Sequence, residues 1–264
     1  MTDRAGPREL TDDERRKLAC DVTFVTDFKQ RQLEEEARRN WDLFYKRNET
    51  RFFKDRHWTG REFEELIGAG GERRKTLLEV GCGVGNLFYP LLEEGVDLFV
   101  HACDFSQRAV QFVKDHPLYD ESRVHAFQCD VTRDKLDEHV TVDCIDIATL
   151  VFVLSSVHPD KMSTFLKNVH SVLKRDGVVL IRDYGLYDHA MLRFARGHKL
   201  QENFYVRQDG TRAYYFSVDK MKEVFTASGF VTVSCDYVHR ETVNKKEGLC
   251  VPRVFVQGRF SKAK

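Results

Sequence analysis

The sequence is poor in the features that mark disulfide-built, metal-built and membrane-spanning chains. Its seven cysteines are an odd number, with no CxxC pair and no Cys/His spacing that suits zinc. No run approaches the roughly 20 apolar residues of a membrane span. The opening MTDRAGPREL lacks the apolar core of a secretory signal and is too acidic for a typical transit peptide. Internal repeats and low-complexity segments are missing too. Cys82, Cys103, Cys129 and Cys144 fall in or beside apolar, strand-like runs and read as reduced packing residues. A cytoplasmic setting follows as the expectation, with the nucleus as a second compartment.

What is present is a chain of 264 residues, long enough for one α/β domain with decoration and short for two independent cores. The formal net charge is zero, from 42 basic and 42 acidic side chains, but the charge is unevenly spread. Residues 1–75 carry 18 basic and 17 acidic side chains, residues 76–173 carry 7 and 15, and residues 174–264 carry 17 and 10. An acidic middle beside a basic final third suits a small cationic ligand in one and a polyanion on the other, although scattered solvated charge gives the same counts.

Residues 1–10 read as a disordered tail. A polar helix is predicted from Thr11, with Thr11 as cap and Glu14 three residues on. A longer helix is predicted over 27–47, where Leu33, Ala37, Trp41, Phe44 and Tyr45 make one apolar stripe. A short helix at 59–67 and a flexible connector at 68–75 complete an N-terminal cap over residues 11–75. From Thr76 strand and helix alternate. Strands are predicted at 76–80, 98–103, 124–129, 144–154 and 178–182, with helices near 86–94, 106–116 and 160–173, the pattern of a doubly wound parallel sheet. An irregular insertion over 184–217 leads to a helix near 218–228. Two long strands, 231–239 and 253–260, then form an antiparallel edge.

Gly81, Gly83 and Gly85 follow the first strand and open a helix. Glycine there permits close backbone approach and positive φ, so the turn can wrap a ligand or simply be tight. A dinucleotide fingerprint needs glycine at position 86, where Asn86 stands. GxGxG with Glu79 two residues ahead instead resembles the first motif of Rossmann-like methyltransferases. Asp104 ends the second strand, 19 residues after Gly85, where an acid accepts from ribose hydroxyls. Asp130 ends the third, suited to accept from an adenine amino group, with Val131 and Val151 as apolar contacts. Each acid has a plainer reading as a cap of the following helix. Three successive strand ends so equipped point to S-adenosylmethionine as cofactor.

The fourth strand ends in TLVFVLSSVHPDK, without the (D/N)PP(Y/F) tetrapeptide of many exocyclic-amine methylating enzymes. NWDLFYKRN, RFFKDRHW, GCGVGN, FVLSSVHPDKM, RDYGLYDHAMLRF, NFYVRQDGTR and RETVNKKEGLCVPRVF together resemble the methyltransferase-like tRNA 3-methylcytidine methyltransferases. The ending NKKEGLCVPRVF is most similar to the branch that modifies cytidine 32 of serine tRNAs. The resemblance spans roughly residues 20 to 260. It implies a class I fold, a mostly parallel seven-stranded sheet under an N-terminal helical cap, with residues 76–264 as the catalytic domain.

The resemblance also brings Trp41 and Tyr45 to the cofactor pocket. They lie one turn apart on one helix face, and packing against the sheet is the competing reading. RFFKDRHW reads as a lid whose Arg51, Lys54, Arg56 and His57 contact phosphate, or as a solvated turn. Asp183 and Tyr184, at the next strand end, become the candidate catalytic pair: the carboxylate to stabilise a cationic product ring, the ring to stack on the base. Asp183 reads equally as a turn residue bonding its own loop. Arg193, Arg196, Lys199, Arg207, Arg212, Lys245, Lys246 and Arg253 are expected phosphate contacts. tRNA is the expected partner, with seryl-tRNA synthetase beside it, and neither a metal nor a membrane is expected. A small-molecule methyltransferase, a protein methyltransferase and a cofactor-binding subunit without its own activity are the alternatives.

Overall fold

The computed structural model describes residues 6–68, 73–244 and 249–263. The expected tail lies outside this range over 1–5, whereas the described Arg8 pairs with Glu14. Helix α1 (Asp12–Ala19) starts as the sequence predicts, in a reciprocal capping box between Thr11 and Glu14.

The predicted helix over 27–47 is two helices, α2 (Asp27–Glu35) and α3 (Ala37–Asn48), because Glu36 leaves helical geometry at φ −87°, ψ 2°. Tertiary anchors override the uninterrupted stripe at this point. Glu34 of α2 is held by Lys161 and Arg212, while Asn40 of α3 donates to the Gly210 carbonyl and Asp42 accepts from Ser106. The short helix at 59–67 is likewise split at Phe63, into α4 (Thr59–Glu62) and α5 (Glu64–Ile67). Residues 69–72 of the predicted connector lie outside the described residues.

The alternating region follows as β1 (Lys75–Val80), α6 (Phe88–Glu93), β2 (Leu98–Asp104), α7 (Gln107–Lys114), β3 (Val124–Gln128), β4 (Ile145–Val151), α8 (Met162–Val172) and β5 (Leu173–Tyr184). The last begins earlier than the predicted 178–182. Ile145 pairs with Leu173 and Ile147 with Val178, so residues 174–177 bulge out of the ladder. The insertion is not irregular. It holds a one-turn helix, α9 (His189–Leu192), and a small antiparallel sheet of β6 (Lys199–Gln201), β7 (Phe204–Val206) and β8 (Arg212–Tyr214). Strands of three residues are too short to register as alternation. After α10 (Val218–Thr226) the chain closes with the antiparallel pair β9 (Phe230–Asn244) and β10 (Leu249–Lys262).

The main sheet has the order β3-β2-β1-β4-β5-β10-β9. The first five strands run parallel and β10 joins β5 antiparallel. From β1 the chain winds outward to β3, then returns to lay β4 on the opposite flank of β1. At that reversal the following segments leave in opposite directions and open a crevice beyond the strand ends. Apolar cores fill both faces of the sheet, one around Leu78, Ile181, Phe225 and Phe260, the other around Leu77, Val100, Phe88 and Leu180. Cys82, Cys103 and Cys129 are buried as expected of packing residues, and Cys144 is half-buried. Among the described residues no helix is long and apolar enough to cross a membrane.

Phe260 of β10 is fully buried and stacks on Phe225 of α10 at 3.8 Å between centroids, tying the antiparallel edge to the parallel core. F260A is expected to lower the unfolding free energy by about 3–5 kcal/mol, read from the denaturation midpoint at unchanged slope.

Candidate active site

A cavity of about 460 Å³ occupies the crevice at the carboxyl ends of β1 and β4. Trp41, Tyr45, Gly81, Gly83, Asp104, Asp130, Val131 and Val151 all line it, so eight of the nine residues expected around a cofactor meet at one place. Gly85 is the exception. Its φ is +89° and a Cβ there would stand 2.4 Å from Tyr89 Cδ2, so this glycine lets α6 pack close to the loop. Helix α3 supplies one wall. Trp41 and Tyr45 sit with ring centroids 6.1 Å apart, and the Tyr45 side chain reaches over the glycine loop. A Cβ on Gly83 would come within 2.9 Å of the Tyr45 hydroxyl, which is why this position takes glycine at φ +55°.

Asp104 fixes the loop to the neighbouring strand. Its Oδ2 accepts from the Gly83 amide at 3.0 Å and its Oδ1 from the Ser106 amide at 2.9 Å. Burial pushes its carboxyl up to about 6, against the pull of those two amides. Asp130 is only half-buried. One oxygen accepts from the Thr132 amide and hydroxyl at 3.1 and 2.7 Å, in a turn rather than a helix cap.

Glu79, noted in the sequence only as part of the loop motif, becomes the most unusual group of the site. It is buried at the end of β1, lines the cavity, and its Oε2 has no hydrogen-bond partner. Burial pushes its pKa up to about 8 although Arg56 pulls it down. That places Arg56 inside the cavity wall, not on a phosphate-binding surface. Its amide donates to the Asn86 carbonyl at 2.8 Å, its Nη1 to the Val151 carbonyl at 3.1 Å, and its guanidinium lies 5.3 Å from the Phe152 ring centroid. Asp55 accepts from Asn86 Nδ2 at 2.9 Å, so the RFFKDRHW segment is zipped to the glycine loop.

Asp183 is fully buried and is not among the residues lining the cavity. Its Oδ2 accepts from the Ser155 amide at 2.9 Å and its Oδ1 from its own neighbour, the Tyr184 amide. The turn-residue reading describes only the second contact, because Ser155 belongs to the segment after β4. Asp183 braces that segment from beneath, and burial holds its pKa up at about 6. Tyr184 lies outside the cavity as well, beside it. Its ring stands 5.0 Å from Phe152, a cavity residue, and 6.3 Å from Phe255, with the Arg207 guanidinium 5.6 Å from its centroid. Phe152 reaches this position through a left-handed φ of +60°, a conformation a bulky side chain seldom adopts. The result is an aromatic platform at the cavity's edge, flanked by arginine. Nothing in the residue spacing announced Phe152 or Phe255, since both lie in unbroken apolar runs.

The expected phosphate contacts divide. Arg51, Lys54, His57, Arg193 and Arg196 are exposed, with Arg51 near Glu49 at 2.8 Å and His57 near Glu94 at 3.2 Å. Arg212 is buried and paired with Glu34, Lys199 is buried against Glu202, and Arg253 donates to the fully buried Asp188 at 2.8 Å. Arg212 and Arg253 are fastenings of the fold, because a buried cation needs a fixed counter-charge, whereas Lys199 has only an exposed acid three residues along its own hairpin. Lys245 and Lys246 lie outside the described residues. Among the described residues no group of three or more His, Cys, Asp or Glu side chains could hold a metal ion.

A methyltransferase-domain family matches residues 45–235. The chain is 59% identical over 257 residues to the human tRNA N(3)-cytidine methyltransferase METTL6, covering 97% of this chain and 90% of that protein. It is 43% identical over 244 residues to the tRNA N(3)-methylcytidine methyltransferase trm141 of Schizosaccharomyces pombe, covering 91% and 98%. Among solved structures, a SAM-dependent methyltransferase of Methanosarcina mazei superposes with a TM-score of 0.54 at 17% identity, covering 74% of this chain and 95% of that one. That likeness is one of fold.

A carboxyl whose folded pKa is raised stabilises the fold fully below its unfolded value and loses that contribution as pH climbs through the raised one. For Glu79 the window runs from about 4.5 to about 8. E79Q should therefore melt with the ligand-free wild type at pH 4, below the unfolded value. At pH 8.5 it should melt higher, on a scale of about 2–4 °C per kcal/mol for a domain of this size. Scanning calorimetry at the two pH values decides, and equal melting at both would mean that Glu79 carries no ionisation penalty.

Proposed function

Because this chain belongs to the family of tRNA N(3)-cytidine methyltransferases, we propose that it transfers a methyl group from S-adenosylmethionine to ring nitrogen 3 of cytidine 32 in the anticodon loop of serine tRNAs. The observation that carries this reading is the junction of two sites at Phe152. On one side lies an open-mouthed cavity with acids at successive strand ends. On the other lies an aromatic platform flanked by Arg207. Enclosed apolar pockets for small acceptors need no such arginine-flanked shelf, whereas an unpaired base stacks on aromatic faces with cations beside its phosphates.

The cavity fits S-adenosylmethionine by its chemistry. The unpartnered oxygen of Glu79 suits a cationic ligand, and the close Gly83 turn leaves backbone room for one. Trp41 and Tyr45 offer aromatic contact, Asp104 and Asp130 accept hydroxyl or amino hydrogens, and Val131 and Val151 supply apolar surface. When bound, that cofactor supplies an electrophilic methyl group on a sulfonium leaving group.

The chain's own task is then chiefly positioning. Nitrogen 3 of cytosine has a free lone pair at neutral pH, so no residue has to remove a proton first. It is paired in a duplex, so the base must be unstacked and turned outward, as loop bases can be. Tyr184, Phe152 and Phe255 hold its face, and Arg207 reaches the backbone. Asp183 braces Ser155 and Tyr184 rather than touching the base, and above about pH 6 its charge favours the cationic product ring. The exposed Arg51, Lys54, His57 and Arg193 contact phosphate. Residues 11–75 serve as both cap and RNA-binding segment. The ending that resembles the serine-tRNA branch makes seryl-tRNA synthetase the proposed protein partner.

The deciding experiment incubates the protein, with and without seryl-tRNA synthetase, on total tRNA from cells lacking the activity, and measures 3-methylcytidine by mass spectrometry. Product at position 32 is expected, and none under either condition sinks the reading. Y184A should raise the KM for tRNA by the loss of about 1–3 kcal/mol of stacking, whereas Y184F should keep it. D183N should slow single-turnover transfer on the order of 10- to 100-fold and flatten the pH dependence near 6. A full rate in D183N would remove any electrostatic part for this carboxylate.

A further inference from the structure

We infer that Glu34 is a positioning residue for the RNA acceptor, acting from the far wall of the cofactor cavity through Arg212 and Arg207 to the Tyr184 platform. The inference rests on the functional reading above for the identity of the acceptor, but its links are geometric. Glu34 projects from α2 into the cavity wall, where one carboxylate oxygen accepts from Lys161 and the other from Arg212. Lys161 belongs to the segment after β4 and Arg212 to β8, so a single carboxylate joins the cap, the main sheet and the insertion.

Arg212 is 6% exposed and lies against the Phe204 ring, with a second, longer contact to the Ser156 carbonyl at 3.4 Å. Its position sets that of Arg207 on the adjoining strand end. Arg207 Nη1 donates to the Arg212 carbonyl at 2.9 Å, and the Arg207 amide donates to the Thr211 carbonyl at 2.7 Å. The same Arg207 guanidinium stands over Tyr184. From Glu34 to the acceptor platform the path thus runs through one ion pair, one tight two-stranded turn and one cation–aromatic contact.

Among the described residues no other acid pairs with Lys161 or Arg212. Without the Glu34 charge Lys161 and Arg212 would face each other as two cations, one of them buried and uncompensated. The fold relieves that by moving β8 away from the segment after β4, which shifts Arg207, bonded to the Arg212 carbonyl, from its place over the Tyr184 ring. Helix α2 would not resist the movement, because Leu33 is its one buried residue.

The test compares E34Q, E34D and F260L, the last loosening only the distant stack of Phe260 on Phe225. Steady-state methylation of tRNA gives KM and kcat. Anisotropy with a labelled anticodon stem-loop gives binding without turnover, and thermal melting gives stability. E34Q is expected to weaken stem-loop binding and raise the KM for tRNA on the order of fivefold, more than it lowers kcat. E34D, which keeps the charge, should recover most of that loss. F260L should lower the melting temperature without moving KM. The inference is overturned if E34Q binds the stem-loop like wild type, or if its loss merely tracks melting temperature as F260L defines that trend. Should E34Q not fold, K161M cuts the same bridge on its other side and should raise the KM for tRNA in the same direction as E34Q, and a KM at the wild-type value there would overturn the inference. A wild-type protein that binds the stem-loop but methylates no tRNA would refute the functional reading alone, and the binding comparison would still decide this one.

Discussion

Between β1 and β4 the sheet reverses its direction of winding, and the functional part of the molecule follows from that reversal. Here the glycine loop leaves on one side and the segment after β4 on the other, so the strand ends face an opening that the core cannot fill. The N-terminal cap closes it. Helices α2 and α3 have little buried surface of their own, with Leu33, Asn40, Phe44 and Tyr45 inside, so their position depends on what they grip. They grip through Glu34, Asn40 and Asp42, each bonded to a different part of the catalytic domain. The cap is therefore a wall of the cavity as much as an appendage.

Closing such a cavity over ionisable groups has an energetic consequence. Glu79, Asp104 and Asp183 all have pKa values raised by burial, while desolvation lowers that of Arg56 opposite Glu79. The geometry compensates each unequally. Asp104 and Asp183 each receive two backbone amides, whereas Glu79 keeps one oxygen without a partner. Structural carboxylates are rarely left so, because an unmet buried acceptor costs roughly 1–3 kcal/mol. A cationic ligand is the natural counterpart, and its binding energy would offset that penalty.

The parts of this arrangement that repeat with a short period were legible in the sequence. The strand–helix alternation, the Gly81 to Gly85 loop and the acids at 104 and 130 announced the fold and the cavity floor, because sheet burial and loop geometry demand those residue types at those places. The break at Glu36 was not legible. The stripe from Leu33 to Tyr45 runs through it unbroken, and the contacts that bend the chain come from Gly210 and Arg212, far along the sequence. The three-stranded insertion escaped for the same reason, its strands being fixed by pairing with one another and not by any pattern within each. Phe152 and Tyr184 sat in view, but their juxtaposition depends on a left-handed backbone torsion that no periodicity encodes.

The basic final third shows why counting charges reads a surface imperfectly. Its excess of positive side chains invited a polyanion, yet Arg212, Arg253 and Lys199 spend their charge on Glu34, Asp188 and Glu202. Arg56, counted with the lid, faces inward to Glu79. Arg212, Arg253 and Arg56 are better understood as the pins that hold the insertion, the C-terminal hairpin and the segment after α3 against the sheet, while Lys199 pairs within its own hairpin. What remains for phosphate is a smaller set, with Arg51 and Lys54 on the lid and Arg193 and Arg196 after α9. They lie on segments fastened by the buried pairs. On the proposed reading, electrostatic attraction to a polyanion and the shape that selects one RNA loop would be carried by different residues of one charge sign, separated by burial. A rise in salt should screen the first set and leave the second nearly untouched.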